Sequence, residues 1–422
     1  MLIDFEFLVN RGDSMRENVL QKNKRFSVNK IIDFLSHISV FILVCTYCAY
    51  QGYSLFILKG VCMVVLGIRF LLHRKRLNVY MFWSIVFWVL CLSSLIWSVD
   101  FTASKEVVGL VLRVFILCNL LLCFIDDKQK MQFVLRCYVV SAVILSIRLA
   151  SNTPSEILGI QRLGYNINYN PNTLGLYMAL GAICSLYLAK ECKKVLYYIP
   201  SVLFSLIAIF TGSRKAFILI ILGFAIYLLL NTKKTLRWAI YIPIAAVAFL
   251  MIWKVIIANE ILYGIIGYRM ETLLDSLFGH GDRLMRMKII IEGFRLFSDR
   301  PLIGYGANTY QAISGFGFYS HNNYIEILVS FGLIGFIVYY SFYCYLYVKL
   351  VKRWLNGDRS VAFPLTIIIL MLIIESGLCS YFADIFQVFI AICCAYLYIR
   401  NDVNVSPKQM KTLHYYKARK AW

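Results

Sequence analysis

Residues 79–98 read VYMFWSIVFWVLCLSSLIWS, twenty positions without a single charge. An α-helix needs ~20 apolar residues to cross the hydrocarbon core of a bilayer, so this stretch reads as a membrane span. Comparable runs recur from residue 31 to residue 399. The whole chain of 422 residues is 60% hydrophobic, with a mean hydropathy of +0.72, whereas soluble domains lie nearer ~45–50% apolar. The fold class read from these runs is all-α and polytopic, because a backbone in lipid must satisfy its own hydrogen bonds. Runs of this length exclude an outer-membrane barrel, whose strands are shorter and alternate.

Twelve spans follow from the pattern, near 31–50, 53–72, 79–98, 106–125, 131–150, 172–189, 195–211, 215–230, 237–257, 322–348, 361–378 and 383–399. The organisation is then a segment 1–30, spans one to nine over 31–257, a long connection 258–321 with an amphipathic helix, spans ten to twelve over 322–399, and a basic tail 400–422. Residues 1–30 are charged and polar, with no cleavable leader pattern, so the first run is expected to stay as a helix. The 13 cysteines lie mostly inside apolar runs and lack metal-ligand spacing, which reads as small buried hydrophobes.

The formal net charge is +21. Its placement argues against nucleic acid and for lipid headgroups, because the cations sit at the ends of apolar runs. Alternate connections are basic: Arg74-Lys75-Arg76, Lys128 with Lys130, Lys190 with Lys193-Lys194, Lys233-Lys234 with Arg237, and Lys349 with Lys352-Arg353. The bias places these loops and both termini in the cytoplasm. The connections 151–171, 211–214 and 258–321 then lie on the opposite side.

The polar residues concentrate there. Residues 279–311 read GHGDRLMRMKIIIEGFRLFSDRPLIGYGANTYQ, and 320–335 read SHNNYIEILVSFGLIG. Within them, 282–299 has helical periodicity in Leu284, Met287, Ile290, Ile291, Phe294 and Phe297. Lys288 and Arg295 fit a helix lying on lipid phosphates. Arg283 and Arg286 are three apart, so they share one side of the helix and suit an anionic ligand. Pro301 and Gly304-Tyr305-Gly306 mark a helix end and a tight turn. Thr211-Gly212-Ser213-Arg214-Lys215 is a short connection whose cations go against the orientation rule, either as an ordinary helix end or as a phosphate contact. His321 opens an apolar helix and is one of five histidines. Gln161-Arg162-Leu163-Gly164-Tyr165 and Asn168-Tyr169-Asn170-Pro171-Asn172 suit sugar binding and suit an Asx-turn loop equally.

These motifs resemble the O-antigen ligase and polymerase superfamily, bacterial membrane glycosyltransferases that move saccharides from polyprenyl-diphosphate carriers. Thr211-Gly212-Ser213-Arg214 is similar to the family's short Ser-Arg motif. Asp282-Arg283 and Pro301–Gly306 are similar to its Arg-led helix and Pro-Leu-Leu-Gly-x-Gly turn. His321-Asn322-x-Tyr324 through Gly332–Gly335 is similar to its closing helix, and Asn170-Pro171-Asn172 to a weaker element. Many members carry an acid two positions before the glycine aligned with Gly332; here Ser330 stands there, and Glu326 lies one turn earlier.

The resemblance implies inverting transfer without a cofactor or metal. Arg214, Arg283 and Arg286 are expected on the diphosphate and His321 as the base, with Arg162, Asn170, Asn172, Asn322 and Tyr324 on the glycan. The expected partners are a polyprenyl-diphosphate-linked donor, a glycan acceptor, membrane lipid and other polysaccharide-assembly membrane proteins. A polymerase of lipid-linked repeat units of O-antigen or capsule is the leading expectation. A ligase delivering a finished glycan to lipid A core or another acceptor shares this chemistry. A lipid-linked-sugar transporter is the third reading, since about twelve spans is also a transporter count.

Overall fold

The computed structural model describes residues 28–50, 55–72, 78–154, 161–232, 238–278 and 284–399. The chain is helical throughout these residues, with no strand among them. The helices are α1 (Val28–Cys48), α2 (Phe56–Leu72), α3 (Val79–Ser93), α4 (Phe101–Phe124), α5 (Lys128–Asn152), α6 (Pro171–Cys192), α7 (Tyr198–Phe210) and α8 (Arg214–Asn231). They continue as α9 (Trp238–Ala258), α10 (Glu260–Leu262), α11 (Tyr268–Phe278), α12 (Leu284–Asp299), α13 (Tyr310–Ile313), α14 (Asn323–Leu355), α15 (Ala362–Glu375) and α16 (Asp384–Tyr398).

Every segment expected to span is helical, but the count of twelve is not reached by length and composition. Among the described residues, seven helices are long and apolar enough to cross a membrane, or eight if Leu250–Ala258 and Glu260–Thr272, bent by 100°, form one broken span. α2, α7, α15 and α16 have 17, 13, 14 and 15 residues. At ~1.5 Å per residue they fall short of a ~30 Å core.

α6 is the central helix, buried almost all round. Its small residues explain the fit: a Cβ on Gly175 would lie 2.6 Å from Thr211 Oγ1, and one on Gly181 would lie 3.1 Å from Phe204. Without a hydrophobic drive between helices in lipid, close backbone approach at small residues is what holds such a packing together.

α14 is not one rod, as the uninterrupted run 322–348 suggested. At Gly332 the backbone turns to φ 62° and ψ −161°, a region open essentially to glycine alone. The two halves fold back so far that Tyr324 stacks on Tyr340, with centroids 5.0 Å apart. The turn after α12 fills the break. Tyr305 N and Gly306 N donate to the carbonyls of Val329 and Ser330 at 2.9 Å each, and Leu333 N and Ile334 N donate to Pro301 O and Leu302 O at 2.8 and 3.2 Å. Those are backbone groups that a broken helix leaves without partners. A Cβ at Gly332 would lie 2.3 Å from the Leu302 carbonyl carbon, and one at Gly304 would lie 2.4 Å from Val329 O.

The same turn is anchored to the α3–α4 connection: Trp97 Nε1 donates to Ile303 O at 3.2 Å and Val99 N to Tyr305 O at 3.1 Å. Beneath it α12 packs through Ile289, Gly293 and Leu296 onto Tyr310, Ile325 and Val329. Met287, Ile291 and Phe294, from the expected apolar face, are exposed instead. α12 therefore has two apolar sides, one against the protein and one open.

Gly332→Ala should lower the thermal midpoint of the detergent-solubilised chain, by an amount corresponding to roughly 3 kcal/mol, from strain plus overlap. Gly60→Ala in α2, where nothing lies within 4 Å, is the control and should leave the midpoint unchanged or slightly raised. Equal midpoints for the two variants would sink this account of the break.

Candidate functional site

The site forms where the loops at one end of the bundle meet. α7 ends at Thr211, whose hydroxyl donates back to Ala208 O at 2.6 Å. Gly212 then takes φ 62°, and a Cβ there would lie 2.7 Å from Ile265 O, so the turn is pressed against the 263–267 segment. Ser213 caps α8, accepting from Ala216 N. Arg214 and Lys215 are thus the first two residues of an 18-residue helix. Cations there oppose the positive end of the helix dipole, so the placement costs stability and gathers positive field.

Further cations arrive from other segments. The loop 161–170 brings Arg162, whose Nε donates to Thr211 O and whose Nη2 donates to Asn172 Oδ1, both at 2.7 Å. α11 brings Arg269, whose carbonyl accepts from Arg214 Nη1 at 3.3 Å and whose buried Nε has no hydrogen-bond partner. α12 brings Arg286. Lys215 Nζ donates to Gly377 O in the α15–α16 connection.

The charges around Arg214 are Arg286, Arg269 and Arg162, all positive. Among the described residues, none of Arg162, Arg214, Lys215, Arg269 and Arg286 forms an ion pair with a carboxylate. Neighbouring like charges repel, and more strongly where burial removes solvent screening. Such an arrangement of cations is suited to meeting an anion. Burial, and then the nearby Arg269, holds the Arg162 guanidinium below its ordinary value.

His321 stands at the edge of this cluster. Its backbone is left-handed, with φ 52°, a strained conformation for a residue with a side chain. The preceding residue is fixed by Glu326: Oε2 accepts from Ser320 N at 3.1 Å and from Ser320 Oγ at 2.7 Å. Cys379 Sγ donates to the same oxygen at 3.6 Å. Partial burial, then the charges of Lys215 and Arg286, hold the imidazole below its ordinary value. Both influences favour the neutral imidazole, whose lone pair can accept a proton.

The sequence-derived residues divide by position. Arg214, Arg286, Arg162 and His321 come together. Arg283 lies outside the described residues. Asn170 caps α6, its Oδ1 accepting from Asn172 N at 2.9 Å, and Asn172 holds Arg162. Asn322 caps α14, accepting from Tyr324 N at 3.0 Å, and Tyr324 donates its hydroxyl to Leu372 O at 2.7 Å. Arg295 is taken up by Glu292 and Asp299 on its own helix. Lys215 and Arg269 are members of the cluster that the sequence reading did not assign. Lys215 had a signal in its adjacency to Arg214, whereas Arg269 sits in a segment with no recognisable motif.

Residues 199–340 match the family model described as O-antigen ligase. That stretch is similar to an O-antigen ligase domain. It holds Arg214, Lys215, Arg269, Arg286, His321 and the Gly332 break, while Arg162 and Gly377 extend the site beyond it. The chain is also similar to the teichuronic acid biosynthesis protein TuaE of Bacillus subtilis (strain 168), with 24% identity over 336 residues that cover 71% of this chain and 67% of that protein. Both likenesses support the O-antigen ligase and polymerase superfamily and point to polysaccharide biosynthesis.

An anion placed among unpaired cations should stabilise the fold. Inorganic pyrophosphate at 100 times its Kd should stabilise the detergent-solubilised chain by about 2.7 kcal/mol, seen as a rise in thermal midpoint. Arg214→Gln should melt slightly higher without ligand, because one repelling charge is gone, and should lose most of the pyrophosphate shift. A variant that keeps the full shift would remove Arg214 from the anion site.

Proposed function

We propose that this chain is an inverting glycosyltransferase that polymerises polyprenyl-diphosphate-linked saccharide repeat units of a surface polysaccharide. The observation that carries the reading is the gathering of five unpaired cations beside a neutral imidazole at one end of a helical bundle. The Lys and Arg residues at the other end, among them Arg69, Lys128, Lys130 and Arg353, favour a cytoplasmic placement for that end and an external one for the site. The likeness to a protein named for teichuronic acid biosynthesis supports a role in building a glycan, and so favours a polymerase over a ligase acting on lipid A core.

The chemistry follows from charge. Transfer breaks the bond between the anomeric carbon and the diphosphate oxygen, and the leaving oxygen takes the electron pair. Arg162, Arg214, Lys215, Arg269 and Arg286 meet the charge that develops there, in a half-buried setting where fixed charges act strongly. The α8 N-terminus adds its dipole in the same sense. His321 takes the proton of the acceptor hydroxyl as that oxygen bonds to the anomeric carbon. The acceptor is a second lipid-linked unit.

His321→Ala should lower kcat by about 10²–10⁴-fold, the usual worth of a general base, while leaving the pyrophosphate thermal shift in place. Lipid-linked repeat units supplied alone should give a ladder of products. A strict need for a separate acceptor would favour the ligase reading, and undiminished transfer by the alanine variant would remove His321 from the reaction.

The pH dependence has a definite sign. A base held below its ordinary value stays neutral to lower pH, so kcat/KM should stay flat on acidification past ~6.5 and fall only below it. Bound diphosphate adds negative charge beside the imidazole, so the acid limb of kcat should lie at higher pH than that of kcat/KM. A kcat/KM limb above pH ~6.5 would contradict the charge arrangement around His321.

A further inference from the structure

The charges of Lys215 and Arg286 act on the His321 imidazole. Aromatic rings from residues 316–319, which read Phe-Gly-Phe-Tyr, also lie against it. The Tyr319 ring centroid lies 4.0 Å from that of His321, and Phe318 lies at 5.8 Å. Phe316 continues the row, stacked on Phe318 at 5.9 Å with an interplanar angle of 26°.

Phe316 and Phe318 rest part of their surface on the Ile289, Leu296, Tyr310, Ile325 and Val329 cluster and leave the rest accessible. Gly315 and Gly317 alternate with them, at φ 73° and 74°, and a Cβ on either would meet nothing within 4 Å. Their positive φ is a backbone conformation that glycine adopts readily, so these glycines answer a backbone requirement and not a packing one. A single exposed aromatic needs no explanation. A row of three that ends on the proposed base does, because it is rigid, largely apolar surface in an otherwise charged site.

We propose that Phe316, Phe318 and Tyr319 form the binding platform for the acceptor saccharide. The inference rests on the glycosyltransferase reading and deepens it. A sugar ring has an apolar face of C–H groups and a rim of hydroxyls. Its apolar face lies on the aromatic row, and one rim hydroxyl comes to His321. The donor diphosphate lies among the cations. The proton then passes from the acceptor hydroxyl to the imidazole as the oxygen attacks the anomeric carbon from the side opposite the leaving diphosphate. The two substrates are sorted by chemistry, anion to the cations and sugar face to the rings.

The test uses the full chain in detergent or nanodiscs. The probe is the lipid-linked saccharide extracted from source cells that lack this chain, and polymer formation is the readout. Phe318→Ala should lower the rate at subsaturating probe by about tenfold, the loss expected when roughly half of a ring's burial against a ligand disappears. The saturating rate should change much less, and Phe318→Tyr, which keeps the ring, should restore the KM. Two further readouts separate a platform from a structural prop: the inorganic pyrophosphate thermal shift and the position of the acid limb should both stay as in the unaltered chain. A shifted acid limb or a lost pyrophosphate shift in Phe318→Ala would mean that the ring only holds His321 in place, which overturns the proposal. An unchanged rate would overturn it too. If the unaltered chain forms no polymer while still binding pyrophosphate, the polymerase reading fails first and the platform assignment with it.

Discussion

A helix break inside an apolar bundle has no water to close it, so another stretch of the same chain must supply the missing partners. At Gly332 the partner is the turn 301–306, through four main-chain hydrogen bonds. This closure orders the far end of the molecule. It ties the α12 segment to α14, and through Trp97 and Val99 to the α3–α4 connection. It also lays the first half of α14 beside the second, which sets where Asn322, His321 and Ser320 emerge. Without that joint, Arg286 on one side and His321 on the other would have no fixed relation.

Set on this frame is an arrangement that works against stability. Arg214 and Lys215 stand at the wrong end of a helix dipole, Arg269 has a buried nitrogen without a partner, and the neighbours of Arg214 are all positive. Opposite-charge pairing is plentiful elsewhere. At the other end of the bundle Arg69 pairs with Asp33 and Asp126, and Lys128 with Glu191. The contrast between a neutralised end and an unneutralised one is the reason to read the cluster as ligand-directed, since preorganised charge is costly unless an anion arrives to meet it.

Much of the fold could be read from the sequence because hydrophobic length is a strong signal in lipid: the expected spans are helical, with ends shifted by a few residues, and 322–348 alone is broken, at Gly332. The number that cross the membrane was harder, since short helices such as α15 and the 100° bend after α9 look apolar without being long or straight. The Gly332 break was hidden because hydropathy carries no information on φ. Arg214, Arg286 and His321 stood out through local motifs. Lys215 was visible only as the neighbour of Arg214, and Arg269 was not visible at all, because what makes it notable is its closeness to Arg162 and Arg214, which are remote in the chain. Asn170 and Asn322 each precede a helical run, where asparagine is favoured as a cap, and the Oδ1 of each takes that role.

The joint between Lys215 and the Gly377 carbonyl has a consequence for biogenesis. The binding end draws on Arg162 near one third of the way along the polypeptide and on Gly377 and Cys379 close to its last helix. A ribosome-bound intermediate that has inserted eight helices already carries Arg162, Arg214 and Lys215, but neither the imidazole nor the carbonyl that anchors the lysine. The cluster is therefore completed only when the final hairpin docks, and a truncated chain would hold its positive charge without the contacts that fix it.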